Sequence, residues 1–277
     1  MDYAYYNGVI APYDATVITL GDRAVFFGDA VYDVMLGRGG KVYQTKEHLA
    51  RLRSGAEHLG LNPRESDEAI GEIIETLIKE SELDEYTVYL QISGYCKRRE
   101  HKSGNEPANL LITITETVTS DELREISAVT LPDLRYGYCN IKTVNLLPAV
   151  ISVNTAYENG AETAIFHKGG TVTECSSANI SILSGGKLIT HPLDSEILPG
   201  IMRANLLCAA QDMGIEIVER AFTVDELMRS DAALITSTTR FLKLCTKVDG
   251  ILLPREAEAT AKELFRRLYI NYIEQTC

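Results

Sequence analysis

Residues 173–203 read TECSSANISILSGGKLITHPLDSEILPGIMR, and the punctuation of this stretch decides the fold class of the second half of the chain. Short β-rich runs, Ile180 to Leu183 and Leu188 to His191, flank the Ser184-Gly185-Gly186 turn, a spacing that suits tight hairpins. Leu198-Pro199-Gly200 is then a turn that opens directly into a predicted helix, Ile201 to Met213. Outward from there, Thr163 to His167 and Glu216 to Glu219 fit further strands, with the Gly169-Gly170 turn between them. Val224 to Met228 is a short helix, Ala233 to Ser237 a strand, and Ala257 to Ile273 a closing amphipathic helix. Strands interleaved with helices make this half mixed α/β.

The first half has a different texture. Asn7-Gly8 between Tyr5-Tyr6 and Val9-Ile10 supplies the positive φ angles of a hairpin turn. Ala30 to Leu36, Gly39-Gly40 and Lys41 to Gln44 predict a second hairpin. A helix follows from about Thr45, which can cap it, with Leu49, Leu52, Ala56 and Leu59 on one face. Ser66 to Ser81 fits the helical template closely through Ile70, Ile73, Ile74, Leu77 and Ile78. Tyr86 to Ser93 and Leu110 to Thr115 are β-rich. The polar, core-poor stretch between Glu116 and Ser127 predicts two domains: a small α+β domain over 1–118, a linker over 119–123 and a larger domain over 124–277.

The chain has 277 residues, 45% of them hydrophobic and 24% charged, with a net charge of −12. No basic block is present, so nucleic acid and anionic membrane are poor partners. No basic, apolar leader opens the chain and no apolar run has the length of a membrane span, which predicts a cytoplasmic protein. Cys96, Cys139, Cys175, Cys208, Cys245 and Cys277 are scattered without metal-ligand spacing; they predict buried thiols in a reducing compartment and no metal site.

Three features carry chemistry. In Asn140 to Leu146, an extended backbone would put Lys142 on one face with Val144 and Leu146 while Ile141 points away. A lysine on such a dry face is costly unless paired or deprotonated, the setting in which lysines form Schiff bases; a lysine at a strand end also fits a solvated surface. At Gly200, the amides of Ile201 and Met202 can cradle an anion, or the segment is a plain turn. Thr236-Ser237-Thr238-Thr239 ends an apolar strand and offers either a second wall for that anion or ordinary strand-end hydroxyls. Glu174 precedes a run of small residues that a flat ligand could approach, and equally fits a surface charge on a turn.

An amine, an acid and an anion cradle together match pyridoxal phosphate. Their order resembles the class IV aminotransferases, the family of D-amino-acid and branched-chain aminotransferases and aminodeoxychorismate lyase. The resemblance runs over Asp22-Arg23, Phe27 to Val34, Asn140-Ile141-Lys142, Asn145 to Leu147, Glu174 to Asn179, Leu188 to Thr190, Leu198 to Arg203 and Thr236 to Thr239. Ser181 departs where an aromatic is usual. The resemblance implies a fold of type IV: a small α+β domain and a larger domain whose mixed sheet forms a pseudo-barrel, with the cofactor between them. It implies that Lys142 carries the cofactor and moves the substrate proton, that Glu174 keeps the pyridine nitrogen protonated, and that Arg51, Ile201, Met202, Ser237 and Thr238 hold the phosphate.

Within the family, the nearest pattern is that of the D-amino-acid aminotransferases, which carry an Arg-x-His that reaches across a homodimer interface to the substrate carboxylate. Arg99 and His101 fit it, and Tyr32 fits the assisting tyrosine; Gly94 departs from the usual arginine. The resemblance therefore implies amino-group transfer between a D-amino acid and a 2-oxo acid by a homodimer. Aminodeoxychorismate lyase, a branched-chain L-amino-acid aminotransferase and a non-catalytic oligomeric binding protein are the alternatives. Arg240 follows the hydroxyl run where relatives tend to carry a small polar residue; it either reaches a substrate's second carboxylate or points outward to an acidic partner.

Overall fold

The structure is a computed structural model that describes every residue except Asn105 and Cys277, so the expectation for Cys277 lies outside the described residues. The chain divides into two compact units: Met1–Thr119 with Ile141–Asn145 and the chain end from Ile273, and Ser120–Asn140 with Leu146–Tyr272.

The first unit is built on an antiparallel sheet. Its strands are β1 (Tyr3–Tyr6), β2 (Val9–Pro12), β3 (Ala30–Arg38), β4 (Lys41–Val42), β5 (Glu85–Ser93) and β6 (Asn109–Glu116), ordered β2-β1-β6-β5-β3-β4. Asn7 and Gly8 turn β1 into β2 at positive φ. A short helix α1 (Arg23–Phe27) precedes β3, and α2 (Thr45–His58) and α3 (Asp67–Ser81) follow β4. Along β3, alternation turns Val31, Asp33 and Met35 inward, where Leu49, Leu52 and Ala56 of α2 join the same core. Ser66 caps α3 by accepting from the Ala69 amide. The cap read at Thr45 is corrected: Gln44, at φ 50, precedes α2 without a side-chain cap, and the Thr45 hydroxyl donates to the Val42 carbonyl instead.

The second unit carries a ten-stranded mixed sheet. Its strands are β7 (Arg124–Pro132), β8 (Thr163–Lys168), β9 (Thr171–Cys175), β10 (Asn179–Ser184), β11 (Lys187–Thr190), β12 (Glu216–Glu219), β13 (Phe222–Thr223), β14 (Ala232–Ser237), β15 (Phe241–Val248) and β16 (Ile251–Leu252). The order is β12-β11-β10-β14-β15-β7-β8-β9-β13, with β16 on β15. The pairs β11–β12, β15–β7 and β7–β8 are parallel and the others antiparallel. Helices α4 (Leu147–Glu158), α5 (Ile201–Asp212), α6 (Val224–Met228) and α7 (Glu258–Thr276) complete the elements. Cys175 and Cys245 are buried, but Cys208 on α5 is exposed and Cys96 and Cys139 are half-buried, which corrects the uniform reading of the thiols.

Candidate active site

Lys142 is not on a strand. The segment Ile141–Asn145 is irregular and is tied to β3 through its backbone: the Tyr32 amide donates to the Lys142 carbonyl (2.9 Å) and the Val144 amide to the Ala30 carbonyl (3.2 Å). Ile141 is the buried residue, whereas Val144 is half-buried and Leu146 exposed, so the dry face falls on the opposite side from the one expected. The half-buried Lys142 ammonium lies 4.5 Å from the centre of the Tyr32 ring, which it can meet as a cation over a π face. Tyr32 stacks on Tyr89 at 5.4 Å, fixing its plane.

Beneath β3 lies a fully buried carboxylate. Asp33 accepts from Arg51 Nε (2.8 Å) and from Arg51 NH2 (2.7 Å), and pairs with His48 Nδ1 (2.7 Å). His48 and Arg51 are three residues apart, hence on one face of α2. Burial alone would raise the Asp33 carboxyl, but hydrogen bonds from His48 and Arg51 and the guanidinium charge outweigh it and hold it at about 2. Burial pushes the His48 imidazole down, with Asp33 opposing. The ring is therefore neutral at neutral pH, its Nδ1 proton donated to Asp33, and its buried Nε2 has no hydrogen-bond partner. Asp33 and His48 were missed by the sequence reading, although the inward phase of Asp33 between Val31 and Met35 marks a carboxylate in need of a partner. The Arg51 side chain is only 12% exposed.

Arg99 and His101 meet at one ring in this unit: the Arg99 guanidinium lies 5.0 Å from the Phe27 centre and the His101 ring 5.3 Å from it. Both side chains are exposed. No hydrogen bond, ion pair or ring contact joins either to Tyr32 among the described residues.

The second unit holds the other candidates. Glu174 lies on β9 rather than on a turn, is 5% exposed, and accepts from the Asn179 amide side chain (2.9 Å) and the Leu198 backbone N–H (3.1 Å). It also pairs with Arg135. Arg135 donates to both oxygens of Asp133 (2.9 and 2.8 Å) and to the Glu196 carbonyl, and lies over the Phe166 ring. Burial disfavours the Arg135 charge, but Asp133 and Glu174 more than compensate and raise it well above its ordinary value. Sequence reasoning missed Arg135, since an arginine two residues after an aspartate carries no signal of burial.

Asn179 links Glu174 to the start of α5, donating to the Leu198 carbonyl as well (3.0 Å). A Cβ at Gly200 would lie 1.9 Å from Asn179 Oδ1, so only glycine permits this approach. Gly200 gives α5 no side-chain cap, and no acidic residue lies in the first turn. The amides of Ile201 and Met202 thus sit at an uncapped helix start that favours an anion. Ser237 ends β14, against which α5 packs, and Thr238–Arg240 form one 3-10 turn. Arg240 is exposed, with no ion pair among the described residues. Phe241 follows at φ 54, a strained value for a bulky residue, held by contacts with Phe265, Tyr269 and Tyr272. The hydroxyls of Thr236 and Ser181 are buried without a partner.

Each unit thus presents part of what pyridoxal phosphate needs: an amine beside aromatic rings in one, and a fixed carboxylate and an uncapped helix start in the other. The chain belongs to the class IV aminotransferases: that family's model matches residues 30–248. It is an aminotransferase, and members of this family use pyridoxal phosphate. The D-alanine aminotransferase of Listeria monocytogenes (strain 10403S) is 32% identical over 277 residues, covering 98% of this chain and 96% of its own. The D-alanine aminotransferase of Staphylococcus epidermidis (strain ATCC 12228) is 31% identical, with 90% of each chain covered. The Escherichia coli branched-chain amino acid aminotransferase superposes with a TM-score of 0.89 at 19% identity, covering 100% of this chain and 96% of that one. The Thermoproteus uzoniensis branched-chain aminotransferase gives 0.88 at 20%, covering 99% and 97%. These last two establish the type IV fold.

Proposed function

We propose that the chain transfers an amino group between a D-amino acid and a 2-oxo acid, of the D-alanine and D-glutamate type, with pyridoxal phosphate as cofactor. The observation that carries this reading is the near full-length identity to enzymes named D-alanine aminotransferase; the Arg99 and His101 pair gathered at Phe27 supports it. The bound cofactor supplies an aldehyde for amines and a ring that takes up the electron pair left when a substrate proton departs. Lys142 Nζ is the amine that holds it and then carries the proton. Glu174, fixed by Arg135, Asn179 and the Leu198 amide, holds the proton on the pyridine nitrogen. Ile201, Met202, Ser237, Thr238 and Arg51 bind the phosphate.

Arg99 and His101 receive the substrate carboxylate with Tyr32, in the neighbouring subunit of a homodimer. Leu147, Val150, Ile151 and Tyr157 of α4 are all more than half exposed, an apolar face that a second copy would cover. Arg240 takes a second carboxylate at the rim. No described helix is long and apolar enough to cross a membrane, and we place the enzyme in the cytoplasm.

Incubation with D-alanine and 2-oxoglutarate, followed by chiral analysis, tests the reading: D-glutamate and pyruvate are the expected products. No product from D-alanine, with L-glutamate formed from L-leucine and 2-oxoglutarate, would point to a branched-chain type of specificity, and pyruvate released from aminodeoxychorismate without an acceptor to the lyase.

A further inference from the structure

Among its described residues the loop that bears Arg99 and His101 has no regular secondary structure, and Lys97 to His101 are exposed, yet its backbone is held from below by one buried side chain. Arg23, the first residue of α1, is 4% exposed, and each of its three guanidinium nitrogens donates to a fixed partner. Nε donates to Asp29 Oδ2 (2.5 Å), NH1 to the Glu100 carbonyl (2.6 Å) and NH2 to the His101 carbonyl (3.0 Å). The guanidinium also lies 4.6 Å from the centre of the Phe27 ring, the ring that Arg99 and His101 meet. Phe27 and Arg23 together shape the loop: the ring takes its two functional side chains and the guanidinium takes its carbonyls.

Gly94 makes the arrangement possible. A Cβ there would lie 2.8 Å from Arg23 Cδ and 3.0 Å from Asp29 Oδ2, so the absent side chain is the space through which Arg23 passes. The base of the loop is pinned on both sides of it: the Arg23 amide donates to the Gly94 carbonyl (2.8 Å), the Gly94 amide to the Asp29 carbonyl (3.0 Å) and the Cys96 amide to the Gly21 carbonyl (2.8 Å). Asp22, almost fully buried, fixes the start of α1 by accepting from the Ala24 amide (2.9 Å), from Ser93 Oγ (2.7 Å) and from the Tyr6 hydroxyl (3.1 Å).

We infer that Arg23 is a positioning residue for the substrate carboxylate, acting through the backbone of Glu100 and His101 on Arg99 and His101. This rests on the proposed role of Arg99 and His101. A planar fork that spans two carbonyls and a carboxylate has no substitute in lysine, whose ammonium is a single point, and recognition of a carboxylate by a fork tolerates little displacement.

The test is steady-state kinetics with D-alanine and 2-oxoglutarate on the cofactor-loaded enzyme for Arg23→Lys, Gly94→Ala, Arg99→Lys and the double variant Arg23→Lys/Arg99→Lys. Arg23→Lys and Gly94→Ala should each raise KM for both substrates about tenfold, the cost of one lost charge-assisted contact. The visible absorption band of the bound cofactor should be unchanged and kcat should fall much less than KM rises. Because Arg23 acts through Arg99 and His101, the KM rise of the double variant should fall well short of the product of the two single effects; fully multiplied effects would show an independent role and overturn the inference. An unchanged KM in Arg99→Lys would sink the carboxylate assignment itself, whereas a raised KM there with normal KM in Arg23→Lys and Gly94→Ala would sink only the inference. If Arg23→Lys does not fold with bound cofactor, Gly94→Ala, which disturbs the same contact while keeping the Arg23 guanidinium, carries the same comparison.

Discussion

The two units each hold an arginine against acidic and polar partners, but the partners differ. Around Asp33 the cluster is one wholly buried carboxylate, one guanidinium and one neutral imidazole. Around Glu174 one guanidinium is shared by two carboxylates, Asp133 and Glu174. Burial would raise Asp133, but Arg135 and Thr173 outweigh it and keep the carboxyl low. The first cluster braces α2 against β3 and holds the Arg51 side chain assigned to the phosphate. In the second, on the proposed role of Glu174, two carboxylates on one guanidinium suit a further cation, and a protonated pyridine nitrogen is such a cation.

The contrast can be broken in order of effect. Lys142→Ala should lower transamination by about a thousandfold or more, since no other described amine meets Tyr32, and the visible band should be lost with it; near-normal turnover in the purified variant would end the whole reading. Glu174→Gln should keep bound cofactor but lower kcat about a hundredfold, because the neutral amide cannot hold a pyridinium proton. Asp33→Asn should show the opposite profile: a loss of about 3 to 5 kcal/mol in denaturant unfolding, from a guanidinium left without its buried partner. If Asp33→Asn were stable and Glu174→Gln unfolded, the comparison would be reversed.

Acid titration sharpens the same point. The Asp33 carboxyl is depressed to about 2 from an ordinary value near 4, so the folded state binds fewer protons than the unfolded one. Its contribution of about 2 kcal/mol is present above pH ~4 and lost as pH falls through ~2. Burial lowers His48 in the same direction. The stability gap between wild type and Asp33→Asn should narrow by about 2 kcal/mol as pH falls from ~4 to below ~2, and a constant gap across that range would remove the linkage. The smallest expected effect is Ser181→Ala: its hydroxyl is buried without a partner, so stability should change by less than about 1 kcal/mol, and a large loss would reveal a bond to a buried water.

What the sequence disclosed follows from what folding writes into it. The Asn7-Gly8 turn and α3, with Ser66 at its cap and Ile70, Ile74, Leu77 and Ile78 inward, follow from local geometry and periodicity and were legible. The strand expected at Lys142 was not there, because the segment is held to β3 by backbone bonds that no side-chain pattern records. Helix α4 escaped because Leu147, Val150, Ile151 and Tyr157 lie exposed and blur its inward stripe. For Glu174 the sequence left a ligand-facing carboxylate and a surface charge on a turn both open; its burial depends on Asn179, Arg135 and the Leu198 amide, which converge only in three dimensions. Arg23 was visible as part of a motif, while its grip on two carbonyls some 77 residues away could not be.

The most direct measurement is the absorption spectrum of the purified protein before and after addition of D-alanine, L-alanine and then 2-oxoglutarate. The expected result is a visible band that borohydride traps on Lys142, that D-alanine bleaches, that 2-oxoglutarate restores and that L-alanine leaves alone. Absence of the band, borohydride labelling elsewhere than Lys142, or bleaching by L-alanine and not by D-alanine would contradict it.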